Sequence, residues 1–139
     1  MKLPSVDQLH AWGRSLREID SSTLARDPEE GPVRWFVTDG EGEVLVWLSP
    51  DGLPHHAQVI LGEVALDWSR DSGLTTASFL EAPAVLGGRH DDYFMREGSR
   101  NEQAVRDAAR ALLSTSGVGH ELFLPILASL GVAPGSAAG

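Results

Sequence analysis

Cysteine is absent from all 139 residues. That excludes a disulfide frame, a thiolate metal site and a thiol nucleophile. Positive charge is scarce as well: eleven Lys and Arg stand against twenty Asp and Glu, for a formal net charge of −9. A binder of nucleic acid or of an anionic membrane needs a basic footprint, so neither partner is expected. Long hydrophobic runs are missing too. The longest, around Leu122 to Leu130, is about half of what a bilayer-spanning helix requires. Behind Met1-Lys2-Leu3-Pro4, the polar residues Asp7, Gln8 and His10 interrupt any apolar segment, so no signal peptide is expected. A cytoplasmic protein is the resulting expectation.

What is present suits a globular domain. Hydrophobic residues make up 42% and charged residues 22%, a balance that disfavours both disorder and a fibrous chain. The length corresponds to about one domain with a sizeable core. One domain over residues 1–131 is expected, followed by a tail of small uncharged residues, 132–139. Ten of the eleven basic residues are Arg. With abundant Ala and Gly, this is the composition expected of a GC-rich bacterial genome.

Periodicity divides the chain. Ser5-Val6-Asp7-Gln8 has the form of a capping box, and Val6, Leu9, Trp12, Leu16 and Ile19 then recur at helical spacing. Gly13 weakens that helix by up to about 1 kcal/mol relative to Ala, which suggests close packing against a neighbour. Residues 21–32 read as a polar connection. From Val33 the period becomes that of strands: Val33–Thr38 and Glu43–Leu48 around a glycine-bearing link, then Ala57–Trp68 with a bend at Gly62, then Leu74–Leu80. Short links favour sequential antiparallel pairing. Alternation sets Val33, Trp35 and Val37 opposite Arg34, Phe36 and Thr38. It likewise sets Val44, Val46 and Leu48 opposite Leu45 and Trp47. Both faces of these strands are so apolar that both are expected to be covered. In the long third strand, Ile60, Val64, Leu66 and Trp68 are expected on one face, with Val59, Leu61, Glu63, Ala65 and Asp67 on the other.

Residues 81–98 break every regular pattern, although 92–96 could form an edge strand. A second capping box, Ser99 to Glu102, opens a helix to about Thr115 with Val105, Ala108, Ala109 and Leu112 on its buried stripe. His120–Leu130 reads as a last helix, with Pro125 awkward outside its first turn. The expected fold is therefore α+β: an N-terminal helix, a four- to five-stranded antiparallel meander, and two C-terminal helices packed on the sheet.

Motifs for catalysis are weak. No nucleophile elbow, Walker loop or dinucleotide fingerprint occurs. His90, Asp91 and Asp92, with His55 and His56, carry the right donor types for a divalent metal. Neighbours on an extended segment point to opposite sides, however, so no metal and no cofactor is assigned. Glu63 and Asp67 could share a cleft as a general acid and base, but a wetted sheet end explains them as well. Binding has more support. Tyr93, Phe94, Met95 and Arg96 gather aromatic, sulfur and guanidinium groups beside Asp91 and Asp92, and Trp47 lies on a strand face; such residues anchor interfaces. Acidic surfaces also speed encounter with basic partners. The expectation is a non-catalytic acidic protein, an immunity-like neutraliser or an adaptor or chaperone, that binds another, basic protein. A homodimer is a further possibility. The alternative is a small-molecule-binding domain or metal-dependent hydrolase with its site near His90, Asp91 and Asp92.

Overall fold

The computed structural model describes residues 3–20, 31–78 and 102–131. Helix α1 spans Val6–Ser15 and starts as its capping signal predicts: the Ser5 side-chain oxygen accepts the Gln8 amide at 3.1 Å. The helix stops sooner than its apolar spacing suggests. Leu16 is already extended, at ψ 131°, and Arg17–Ile19 forms strand β1. Five further strands follow: β2 (Val33–Val37), β3 (Gly42–Leu48), β4 (Pro54–Leu61), β5 (Val64–Ser69) and β6 (Gly73–Ser78). Helices α2 (Glu102–Ser114) and α3 (His120–Ser129) complete the described chain. The six strands pair in chain order, each antiparallel to the next. The architecture is α+β as expected, with more strands than the four or five anticipated.

Two corrections account for the extra strands. The segment Ala57–Trp68 is not one bent strand but the hairpin β4–β5, with Leu61 opposite Val64 and the two-residue loop Gly62-Glu63 between them. Gly62 takes φ 68°, a left-handed position that glycine fills without Cβ strain at the first position of such turns. Strand β1 was read as the end of the helix because Leu16 and Ile19 continue its spacing. Pairing with β2 overrides that local pattern, Glu18 lying opposite Phe36 and Ile19 opposite Trp35.

The hairpin also changes the phase of the sheet. Residues 61 and 64 face each other across a ladder, so they share a side. Val59 and Leu61 therefore join Val64, Leu66 and Trp68, while Ile60 lies with Ala65 and Asp67. This places the core on one face. Phe36, Val44, Val46, Ala57, Val59, Leu61, Val64, Leu66 and Trp68 pack with Leu9, Trp12 and Leu16 of the N-terminal segment and with the apolar stripes of α2 and α3. The α2 stripe contains all four residues that its spacing predicts, with Leu113 in addition. Helix α3 docks through the Phe123 ring, edge-on to Phe36 at 5.4 Å, and through Ser129, whose hydroxyl accepts the Trp68 indole at 2.9 Å. Pro125 sits inside α3 rather than in its first turn.

Close approach of α1 and α2 uses Gly13. A Cβ there would collide with the Thr115 hydroxyl and the Leu112 carbonyl oxygen, so the missing side chain lets the two backbones meet. The β2–β3 turn is built around Thr38, whose buried hydroxyl accepts the amides of Gly40 and Gly42 at 3.1 and 3.0 Å. Trp12 lies directly over that turn, where a Cβ on Gly40 would meet its indole. No helix among the described residues is long and apolar enough to cross a membrane.

Candidate functional site

The helices described above occupy one side of the sheet, so the distinctive chemistry lies on the other. Strand alternation and register set three rows across it. The first runs Val33, Trp47, His56, Ser69. The second runs Ile19, Trp35, Leu45, Gln58, Asp67, Thr75. The third runs Arg17, Val37, Glu43, Ile60, Ala65. As the alternation predicts, this face is rich in apolar side chains, and its centre is closed to water. Leu45 and Trp47 are each 8% exposed, Gln58 2% and Ala65 not at all. None of the three apolar residues belongs to the helix-side core cluster.

Two polar constellations stand on this face. In the first, the His56 ring stacks on the Trp47 indole, with centroids 4.6 Å apart and planes 17° from parallel. His56 Nε2 lies 2.6 Å from the Asp67 carboxylate. An ionised carboxylate only accepts, so the imidazole donates from Nε2. Asp67 and the stack thus fix both ring orientation and proton position, as an oriented general base requires. The neighbouring hydroxyl is committed to structure instead: Ser69 Oγ accepts the amides of Asp71 and Ser72 at 3.3 and 3.4 Å in the β5–β6 turn. Beside this pair lies Gln58, whose Nε2 is buried without a hydrogen-bond partner, at a cost of the order of 1–3 kcal/mol.

In the second constellation the Trp35 indole donates to the Glu43 carboxylate at 2.6 Å. The two are eight residues apart in sequence. They meet because the β2–β3 register sets Trp35 opposite Leu45 and Val37 opposite Glu43, making Trp35 and Glu43 diagonal neighbours on one face. Trp35, Val37, Glu43, Ile60 and Ile19 are all half-buried. Next to Glu43 the sheet ends in two acidic turns held together by the backbone, the Gly62 amide donating to the Glu41 carbonyl at 3.2 Å. Asp39, Glu41 and Glu63 are exposed there. Arg17 pairs with Asp39 there at 3.0 Å.

The structure places the sequence candidates unevenly. Trp47 is on the second face as expected, but deeply buried. His55 and His56 are consecutive on β4 and so point to opposite sides of the sheet. Glu63 is in the Gly62-Glu63 turn rather than on a strand, so the hairpin removes the premise that put it on a shared strand face with Asp67. His90, Asp91, Asp92, Tyr93, Phe94, Met95 and Arg96 lie outside the described residues. Among the described residues, no group of three or more His, Asp or Glu is arranged to hold a metal ion. The Trp35–Glu43 and His56–Asp67 pairs were missed by sequence reasoning. Counting the register outward from the Thr38–Gly42 turn would have found the first.

Comparison with known proteins gives no matching family model, no matching curated protein and no matching solved structure.

Proposed function

We propose that this chain is a non-catalytic, acidic interaction protein of the cytoplasm that binds a basic protein partner, as an immunity-like neutraliser or as an adaptor or chaperone. One observation carries the proposal: acidic side chains gather on two adjoining turns at one end of the sheet. Asp39, Glu41 and Glu63 project from two turns that are tied together at one end of the sheet, with the half-buried Glu43 beside them. Like charges gathered on one rim act together on an approaching partner, raising the encounter rate and favouring one orientation. The indole and apolar groups on the adjoining sheet face supply the kind of contact that becomes worth most once water is excluded.

The test is capture of partners by the full chain from its source cells, followed by native mass spectrometry of the complex. A stoichiometric complex with a basic protein is expected, with an association rate that falls steeply as salt is added. Absence of any protein partner, or an association rate indifferent to salt, overturns the proposal. Stoichiometric zinc or manganese in the purified protein, lost in His90→Ala, would instead favour a metal-dependent enzyme.

A further inference from the structure

The two halves of the second sheet face differ in a way that singles out one corner. Around Leu45, Trp47, Gln58 and Ala65 the face is closed. Towards the β1–β2 edge, Ile19, Trp35 and Val37 are half-buried neighbours, and Ile60, also half-buried, lies on the far side of Glu43 in the row that contains Val37. Four neighbouring strands contribute to this patch, which spans roughly 15 Å across them. Its rim is acidic, with Asp39, Glu41, Glu43 and Glu63, and among the described residues the ion pairs of these four involve Asp39 alone, with Arg17. Apolar patches rimmed by polar groups mark interaction surfaces.

We infer that this corner is the docking surface for a basic protein segment, which sets a Lys or Arg over the Trp35 indole and against Glu43 and lays apolar side chains on Val37 and on Ile60, to either side of Glu43. The inference rests on the partner class proposed above and adds the place and manner of contact. Glu43 is held in position by the indole N–H through Oε2. A carboxylate has about four acceptor sites, so it retains capacity for an incoming cation. Trp is the aromatic face that attracts a cation best, and the attraction grows as the site is desolvated. A second copy of this chain is the poorer occupant, because it would bring the same carboxylates towards one another. Charge complementarity favours a basic partner.

The probe is a short Lys–Val peptide of repeating Lys-Lys-Val-Val, which presents both residue types on each side of an extended chain, with the matching Glu–Val peptide as its counterpart. Each is titrated into the full ¹⁵N-labelled chain while the Trp35 indole resonance is followed. The Lys–Val peptide is expected to bind and to move that resonance, and the Glu–Val peptide is expected not to bind. Binding should weaken about tenfold in Glu43→Gln and in Trp35→Ala. Glu43→Gln keeps the side-chain shape, and so stays informative if Trp35→Ala fails to fold. Asp51→Asn removes the same charge from the β3–β4 turn at the opposite end of the strands, and should change binding by less than about twofold. Equal weakening in Asp51→Asn and Glu43→Gln, or none in either, overturns this surface while leaving a basic partner in place. No binding of the Lys–Val peptide also overturns the surface, and partner capture then decides the wider proposal separately. Concentration-dependent self-association that changes in Glu43→Gln and not in Asp51→Asn assigns the corner to a second copy and overturns the inference.

Discussion

Arg34 holds both carboxylate oxygens of Glu18, its Nε donating to Oε2 at 2.8 Å and its Nη2 to Oε1 at 2.7 Å. This two-point clasp ties the short strand β1 to β2 on the helix-covered side, and the guanidinium carbon lies 5.7 Å from the Phe36 ring centroid. The Arg34 hydrogen bonds hold the Glu18 carboxyl below its ordinary value of 4.5. A lowered folded-state value means stability that is present above the unfolded value and lost as pH falls through the folded one. Wild-type protein should therefore lose more stability than Glu18→Gln between about pH 5 and pH 3. Both side chains are about two-fifths exposed, so the difference is expected to be small and to shrink with salt. Parallel urea titrations across that range check it, and identical pH slopes would contradict it.

At Gly13, helix propensity and packing oppose each other. In an isolated helix, Ala would be favoured by about 1 kcal/mol. Here its Cβ would collide with the Thr115 hydroxyl and the Leu112 carbonyl oxygen. Overpacking of this kind costs roughly 1–3 kcal/mol, so Gly13→Ala should lower the urea midpoint. A raised midpoint would show that α1 and α2 can separate freely.

The Phe36–Phe123 contact joins the sheet to α3, and both rings are fully buried. Truncation of either to Ala should cost about 3–5 kcal/mol. A double-mutant cycle through Leu at both positions should recover a coupling of about 0.5–1.5 kcal/mol, the part that belongs to the edge-to-face geometry. Additive effects would mean that shape-filling alone holds α3.

His56 should carry a proton on Nε2 in its neutral form, because that nitrogen faces the Asp67 carboxylate at 2.6 Å. Long-range ¹H–¹⁵N spectra of the imidazole read this directly. Asp67→Ala should redistribute the tautomers and loosen the stack on Trp47, with a change in indole fluorescence. A neutral ring protonated only on Nδ1 in the wild type would contradict the assignment.

Much of the fold is legible in the sequence, and the exceptions have identifiable causes. Ser5 and Gln8 announce the start of α1 because a cap is a local interaction within one turn. Gly13 announces a close neighbour because glycine inside a helix has a cost that something must offset. Trp35 and Phe36 are assigned to opposite faces correctly, since alternation along one strand needs no knowledge of its partners. Leu61 and Val64 defeated the same rule: a two-residue turn between them reverses the chain while leaving both side chains on one side. Arg17–Ile19 was hidden because three residues carry no period, and only the ladder to β2 makes them a strand. Trp35 and Glu43 meet through register, which the spacing of residues along the chain does not display.

Because each described strand of the meander pairs with its neighbour in sequence, the ladders are local contacts, the kind that close at the least cost in chain entropy. Its core side, with Phe36, Val46, Leu61 and Trp68, takes part of its cover from Leu9, Trp12 and Leu16 and the rest from α2 and α3, which come last in the described chain. The core is therefore closed from both ends of the described chain, and a chain cut after β6 would expose the part of the sheet that α2 and α3 cover.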